Sequence, residues 1–143
     1  MRLGNLCEHI FVGLQTSADS IYFVRIVSEF KETVKVKNIK DGNEFELEKC
    51  ILKKPLKGKD IRKCSAEWDG YYVVYHYNVE KGKVNIILIS EIETQFPLTY
   101  KYFKHYGNEL KSREDNRLKN EENWHQYIYC KNLEKFKQTK IIT

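Results

Sequence analysis

The segment from Thr33 to Lys49 constrains this chain more than any other. Between Thr33 and Ile39, the apolar Val34, Val36 and Ile39 are set against Lys35 and Lys37. A period of two marks a strand with one buried and one solvated face, and here the solvated face is basic; the pattern breaks only at the end. Lys40-Asp41-Gly42-Asn43 supplies an Asp-Gly hairpin turn, and Glu44 to Lys49 returns with Phe45 and Leu47 inward. A hairpin alone is marginal in water. The rest of the chain must supply more strands and a layer to cover the apolar face.

Candidates for both are present. Ile10 to Gln15 reads as a strand that ends at the turn-rich Thr16-Ser17-Ala18-Asp19. Ser20 to Phe30 reads as a second strand with Ile21, Phe23 and Val24 in the core. Tyr71 to Tyr77 is a run of aromatic and β-branched residues, favourable for a strand. Glu80-Lys81-Gly82-Lys83 turns it into Val84–Ile89, an apolar run expected to be buried on both faces. Ser90 has the chemistry of an N-cap, with Glu93 closing a capping box. Pro97 suits a first helical position. Tyr102, Phe103, Tyr106 and Leu110 then recur at helical spacing, which predicts a helix from Pro97 to about Lys111. Ser112 to Asn123 is nearly all charged or amide and is expected to be exposed. A short helix over Asn132–Phe136 and a last strand from Lys140 complete the reading.

Strands come first, then helices, then one final strand. This order predicts an α+β fold: a mixed, mostly antiparallel sheet with hairpins and one main helix, in a single domain over residues 1–143. The 33–49 hairpin and the 71–89 pair should share one sheet system. The helix should pack on it through Tyr102, Phe103 and Tyr106.

Charge narrows the function. The chain of 143 residues carries a net +5, unevenly spread. Residues 31–63 hold eleven cations against six acids, and residues 99–143 hold ten against six. Between them lies an acidic, aromatic centre. Such segregation favours an anionic macromolecule over a small substrate. Cysteines at 7, 50, 64 and 130 show no C-x-x-C spacing, so neither a zinc site nor a redox motif is indicated. Isolated cysteines suit a reducing compartment, and no run is long enough to span a membrane. The chain reads as cytoplasmic.

The densest cationic stretch is Cys50–Lys63, with Lys53, Lys54, Lys57, Lys59, Arg62 and Lys63 against Asp60 alone. Pro55 disfavours helix at Lys54, and Gly58 permits a turn or a close approach. Ile51, Leu52, Leu56 and Ile61 follow no clean period. The stretch reads as a loop pinned by apolar residues with its cations outward, suited to a polyanion; a merely solvated connector is the plain alternative. Trp124, beside a polar stretch, is a further surface candidate. Gln15, Thr16 and Asn78 can hydrogen-bond base edges, although each also suits a turn. Tyr71, Tyr72, Tyr75 and Tyr77 can stack on bases, although alternate members of such a strand more often fill a core.

Several separated fragments form one pattern. Gly13-Leu14-Gln15-Thr16-Ser17-Ala18-Asp19 precedes an aromatic strand, and Pro55-Leu56-Lys57-Gly58-Lys59-Asp60-Ile61 follows a hairpin. Phe96-Pro97-Leu98-Thr99-Tyr100-Lys101-Tyr102-Phe103 opens the main helix and Leu110-Lys111-Ser112-Arg113 closes it. Trp124, Tyr127 and Asn132 follow, then Phe136-Lys137-Gln138-Thr139-Lys140-Ile141-Ile142. In this order the chain resembles, over roughly residues 10–142, the TaqI-like C-terminal specificity domain. That is the target recognition domain of adenine-specific DNA methyltransferases and fused restriction-modification enzymes. Tyr129 departs from it, standing where an Arg is expected after the Trp.

The resemblance implies a domain that grips double-stranded DNA and helps select a sequence. Catalysis then belongs to a methyltransferase domain of the same parent protein, which would use S-adenosylmethionine. The family pattern usually continues past the final Lys-Ile-Ile, so a piece of a larger protein is expected. No catalytic residue, cofactor or metal is expected in this chain itself. The Asn-Pro-Pro-Tyr-like motif and the Gly-rich strand-turn-helix of such a methyltransferase do not occur, and Pro55 and Pro97 stand far apart. The alternative is a small metal-dependent nuclease using Asp19 with Glu29 and Lys31, since a nuclease needs carboxylates and a lysine around a divalent ion. Cys7 and His9 lack further residues at ligand spacing. His76, His105 and His125 lack a Ser or Cys at a recognisable spacing.

Overall fold

A computed structural model describes residues 14–55, 60–62, 65–130 and 133, and the side chains of residues 61, 62 and 66 are outside that description. The hairpin forms as its pattern requires. β1 (Phe23–Glu29) pairs with β2 (Thr33–Asn38), and β2 pairs in register with β3 (Glu44–Glu48), Val36 opposite Phe45 and Lys35 opposite Glu46. Gly42, at φ 75°, takes the left-handed conformation in the turn. A single 3₁₀ turn, Lys49–Ile51, leads to β4 (Leu52–Lys53). β5 (Ile61–Arg62) and β6 (Ser65–Ala66) form a small separate ribbon. β7 (Tyr71–Val74) returns to the main sheet, whose order is β3-β2-β1-β7-β4, all antiparallel. The fold is α+β, as the order of its segments indicates.

Two long strands expected from the sequence are in fact interrupted. Ser20–Phe30 begins with a helical turn, α1 (Asp19–Tyr22). Thr16 Oγ1 sets that turn, donating to Asp19 Oδ1 at 2.6 Å and accepting from Ala18 N at 3.1 Å. Tyr71–Tyr77 breaks after Val74. Among the described residues β8 (Tyr77–Glu80) then pairs only with β9 (Lys83–Ile86), in a second ribbon outside the main sheet. The break turns His76 into the interior, where it is fully buried. Val84 and Ile86 are only half-buried and Asn85 is exposed, and among the described residues β9 has no second neighbour. The run is not buried on both faces.

Helices α2 (Ile89–Gln95), α3 (Pro97–His105) and α4 (Gly107–Lys111) follow. α2 starts two residues earlier than Ser90 as N-cap implies. Leu88 is its N-cap residue, and its N–H donates to Glu91 Oε2 at 3.0 Å. The main helix is not continuous to Lys111 but breaks at Tyr106. α3 takes Pro97 in its first turn and borrows its cap from β3. Glu48 accepts from the backbone N–H of Leu98 (2.8 Å) and Thr99 (3.0 Å) and from the Thr99 hydroxyl (2.6 Å). A carboxylate at that end satisfies orphan donors and faces the positive end of the helix dipole.

α3 packs on the hairpin through the expected stripe. Tyr102, Phe103, Tyr106 and Leu110 are buried. Phe45 meets the rings of Tyr102 and Tyr106 with centroids 4.9 and 5.7 Å apart. The Tyr102 hydroxyl accepts from Asn38 Nδ2 at 2.7 Å and donates to the Ile21 carbonyl, tying β2, α1 and α3 together.

Ser112–Asn123 is not a wholly exposed stretch. Leu118 is buried, and Arg113 is buried at the start of a turn in which Glu114, Asp115 and Asn116 have positive φ. The Arg113 guanidinium donates to the carbonyls of Leu110, Thr16, Trp124 and Gln126 at 2.8–3.0 Å. One side chain thus fastens the helical layer to both flanking segments. Of the expected helix over 132–136 only Leu133, which is buried, is described; the final strand from 140 and residues 10–13 of the first strand lie outside the described residues, and Gln15 forms an isolated bridge to Tyr129. Among the described residues no helix is long and apolar enough to cross a membrane.

Candidate nucleic-acid interface

Among the described residues β4 lies at an edge of the main sheet, and it carries the first lysine of the cationic stretch, Lys53, with Lys54 directly after it. Lys53 and Lys54 are exposed, and neither has a carboxylate partner among the described residues. Successive side chains of an extended segment point to opposite sides, and these two ammonium groups diverge accordingly. Lys53 borders a shallow cleft of about 240 Å³ lined also by Tyr75, Tyr77, Asn78, Val79 and Glu80. Lys54 Nζ stands 4.7 Å from the Trp68 ring centroid and 5.9 Å from that of Tyr72.

The turn before β7 presents the aromatic part. Gly70 has φ 79°, and a Cβ there would meet Arg25 Nη1 at 3.3 Å, so both conformation and space favour glycine. Trp68 Nε1 donates to the Tyr71 carbonyl at 2.7 Å, which fixes the indole. Its ring meets Tyr72 edge to face with centroids 4.9 Å apart, yet Trp68 remains 37% exposed. On the opposite side of β7, the Arg25 guanidinium stacks 3.9 Å from the Tyr71 ring and lies 3.7 Å from Asp69. The contact with Tyr71, and then Asp69, raises the Arg25 pKa and keeps its charge in place. Arg25 is paired across strands with both Tyr71 and Lys37, so cation and ring are held by the sheet itself.

Of the residues singled out from sequence, the fold exposes Lys53 and Lys54 on opposite sides of β4 and places Asn78 beside the Lys53 cleft. Lys57, Gly58, Lys59 and Lys63 lie outside the described residues, as does the side chain of Arg62, whose backbone belongs to β5. Gln15 is exposed but sits by the Tyr129 bridge. Thr16 is buried, its hydroxyl committed to the turn that starts α1, so it is not a surface reader. Trp124 is not the surface side chain its polar neighbours imply. It is 8% exposed and packs its ring within 3.6 Å of a Cβ built on Gly107. Asn78 is exposed beside the Lys53 cleft.

Trp68 and Tyr72 on one side of β7, and Arg25 on Tyr71 on the other, complete the edge, and the sequence by itself assigns Trp68 no role. The available signal was a tryptophan beside an Asp-Gly turn next to a tyrosine pair. Arg25 had none, since its ring partner lies 46 positions away in the chain.

Other clusters are interior. His76 and His125 are both fully buried, with ring centroids 5.1 Å apart. His125 Nε2 lies 2.9 Å from the Ile87 carbonyl. The His76 nitrogens have no hydrogen-bond partner among the described residues; the Val74 and His125 carbonyls lie near the ring without hydrogen-bond geometry. Burial first, and then the neighbouring His125 and Arg113, holds His76 neutral, far below the ordinary imidazole range. Among the described residues no group of three or more His, Cys, Asp or Glu is placed to hold a metal. Asp19 and Glu29 stand at opposite ends of β1 and its preceding turn, which spans about 20 Å. Glu29 is engaged with Lys49 at 2.5 Å.

Comparison with protein-family models and with curated proteins yields no match to this chain.

Proposed function

We propose that this chain is a non-catalytic DNA-recognition module: the target recognition domain of an adenine-specific restriction-modification methyltransferase. It grips duplex DNA, and a separate domain carrying S-adenosylmethionine performs the chemistry. The observation that carries this reading is the edge of the main sheet. There Lys53 and Lys54 lead into the cationic loop, flanked by Arg25 on Tyr71 and by Trp68 and Tyr72. Cations without carboxylate partners supply phosphate contacts, which position a duplex; the loop and Asn78 supply groups able to reach base edges. The nuclease alternative has less support, because its two carboxylates are separated by the length of β1.

Fluorescence anisotropy on duplex DNA at several salt concentrations tests this. Affinity should fall linearly with salt on logarithmic axes, and the slope should drop by about 0.9 for each phosphate contact removed in a Lys57, Lys59, Arg62 triple-alanine variant. Equal slopes for the variant and the wild type would count against the loop. Magnesium-dependent cleavage that disappears in Glu29→Ala would promote the nuclease.

A further inference from the structure

We infer that the Trp68–Tyr72–Lys54 cluster is a stacking site for an unpaired base, distinct from the phosphate-gripping loop. The inference rests on the DNA-binding reading for its choice of ligand and goes further by naming what is bound here. Three observations carry it. First, the indole is both exposed and fixed: Trp68 is 37% exposed while its Nε1 is held by the Tyr71 carbonyl at 2.7 Å. An exposed ring without a function has no need of a locked orientation, and a stacking platform gains affinity from it. Second, the Tyr72 ring stands perpendicular to the indole, at an interplanar angle of 88°, and buttresses it. Third, the ammonium over the indole belongs to Lys54, an exposed residue on a flexible stem. Such a cation can leave the ring for a phosphate when a base takes its place. The exchange keeps the indole covered and the charge paired in both states. Base–aromatic stacking beside a cation is how unpaired nucleotides are generally held. The surrounding charge suits a strand of phosphates, since Lys53 and Lys54 have no carboxylate partner among the described residues.

The two tryptophans make a direct experiment available. Trp68 is exposed and Trp124 is buried, so base stacking should quench only part of the emission. Wild type, Trp68→Ala and Trp68→Phe are titrated with a fully paired duplex, the same duplex carrying a single-nucleotide bulge, and a short oligothymidylate. The wild type should bind the bulged duplex about tenfold more tightly than the paired one and show quenching with it. Trp68→Ala should lose that preference, so that the paired and the bulged duplex bind alike. Trp68→Phe should keep part of the preference and lose the quenching, which assigns the signal to Trp68. Equal affinity of the wild type for the two duplexes, or an undiminished preference in Trp68→Ala, overturns the inference while leaving the DNA-recognition reading standing. If no duplex binds but oligothymidylate still quenches Trp68, the stacking site stands and that reading falls. Failure of all three probes removes both.

Discussion

The two tryptophans sit in opposite surroundings under the same kind of partner. Lys111 Nζ is 5.1 Å from the Trp124 ring, and Lys54 Nζ is 4.7 Å from the Trp68 ring. Trp124 is 8% exposed, packed beside Gly107 and His125, with its carbonyl held by Arg113. Trp68 is 37% exposed at the sheet edge. The two arginines repeat the contrast. Arg113 is buried and gives its donors to four backbone carbonyls, whereas Arg25 lies on the open face of Tyr71. The same cation–aromatic pairing is thus buried structure at one end and, at the other, the exposed edge for which we propose a ligand. What separates the two arginines is whether the guanidinium is satisfied by buried backbone carbonyls or lies half-exposed beside Asp69.

The largest expected effect is on the buried ring. Trp124→Ala should cost about 4 kcal/mol of stability, since a large side chain leaves a cavity that the surroundings fill only in part. Trp68→Ala should cost about 1 kcal/mol, mainly for the hydrogen bond to the Tyr71 carbonyl. Urea denaturation of the two variants checks this, and equal losses would erase the distinction. Arg113→Met comes next, at about 3 kcal/mol, because four carbonyls lose a charged donor. Arg25→Met should barely move the same midpoint, its ion pair being solvent-screened.

Which residues would occupy which side of this contrast was only partly legible in the sequence. The hairpin was, because Val34, Val36, Phe45 and Leu47 alternate with charge on both sides of Asp41-Gly42. The aromatic stripe of α3 was legible too, since its period matches the helix and its members are large. The break after Val74 was not. Tyr75 and His76 have strand-forming neighbours, and only the interior that receives His76 shows why the strand stops. Arg113 was hidden by its company. It lies in a polar run, and its partners Thr16 and Trp124 are distant or themselves misleading in sequence. Lys53 and Lys54 were legible because unbalanced charge near Pro55 belongs outside, whereas Trp124 was misjudged by the polarity of its neighbours.

A third test uses pH against the buried end. Burial lowers the pKa of both His76 and His125 from the ordinary 6.5. The groups facing them are Arg113 and the tyrosines Tyr22, Tyr77 and Tyr127, none of which stabilises an added positive charge as a carboxylate would. Below about pH 6.5 the unfolded chain takes up protons that the folded one refuses. Stability is therefore complete above that pH and is lost as pH falls, by about 1.4 kcal/mol per unit for each histidine that stays neutral. Urea midpoints between neutral pH and about pH 5 should slope downward in the wild type, and His76→Phe should flatten part of that slope. An unchanged slope would mean that these imidazoles are protonated within the fold. The outer cluster contains no histidine and should not add to the effect.

The smallest expected difference is the most discriminating, because it compares the two lysines directly. Lys54→Gln and Lys111→Gln each remove one ammonium from a tryptophan ring at nearly the same distance. Neither should shift the unfolding midpoint noticeably, since a single cation–π contact near the surface is weak. They should differ in DNA binding. If Lys54 transfers to a phosphate on binding, its loss should lower the logarithmic salt slope by about 0.9, with a correspondingly modest loss of affinity. Lys111 stands over the buried Trp124, at the C-terminus of α4, and its loss should leave the slope where it was. The loss from Lys54→Gln should be alike on specific and random duplexes, because a phosphate contact positions without specifying. Parallel binding isotherms at low and moderate salt, for both variants and the wild type, read the result. Equal changes in slope for the two would mean that general surface charge, rather than the edge cluster, governs binding.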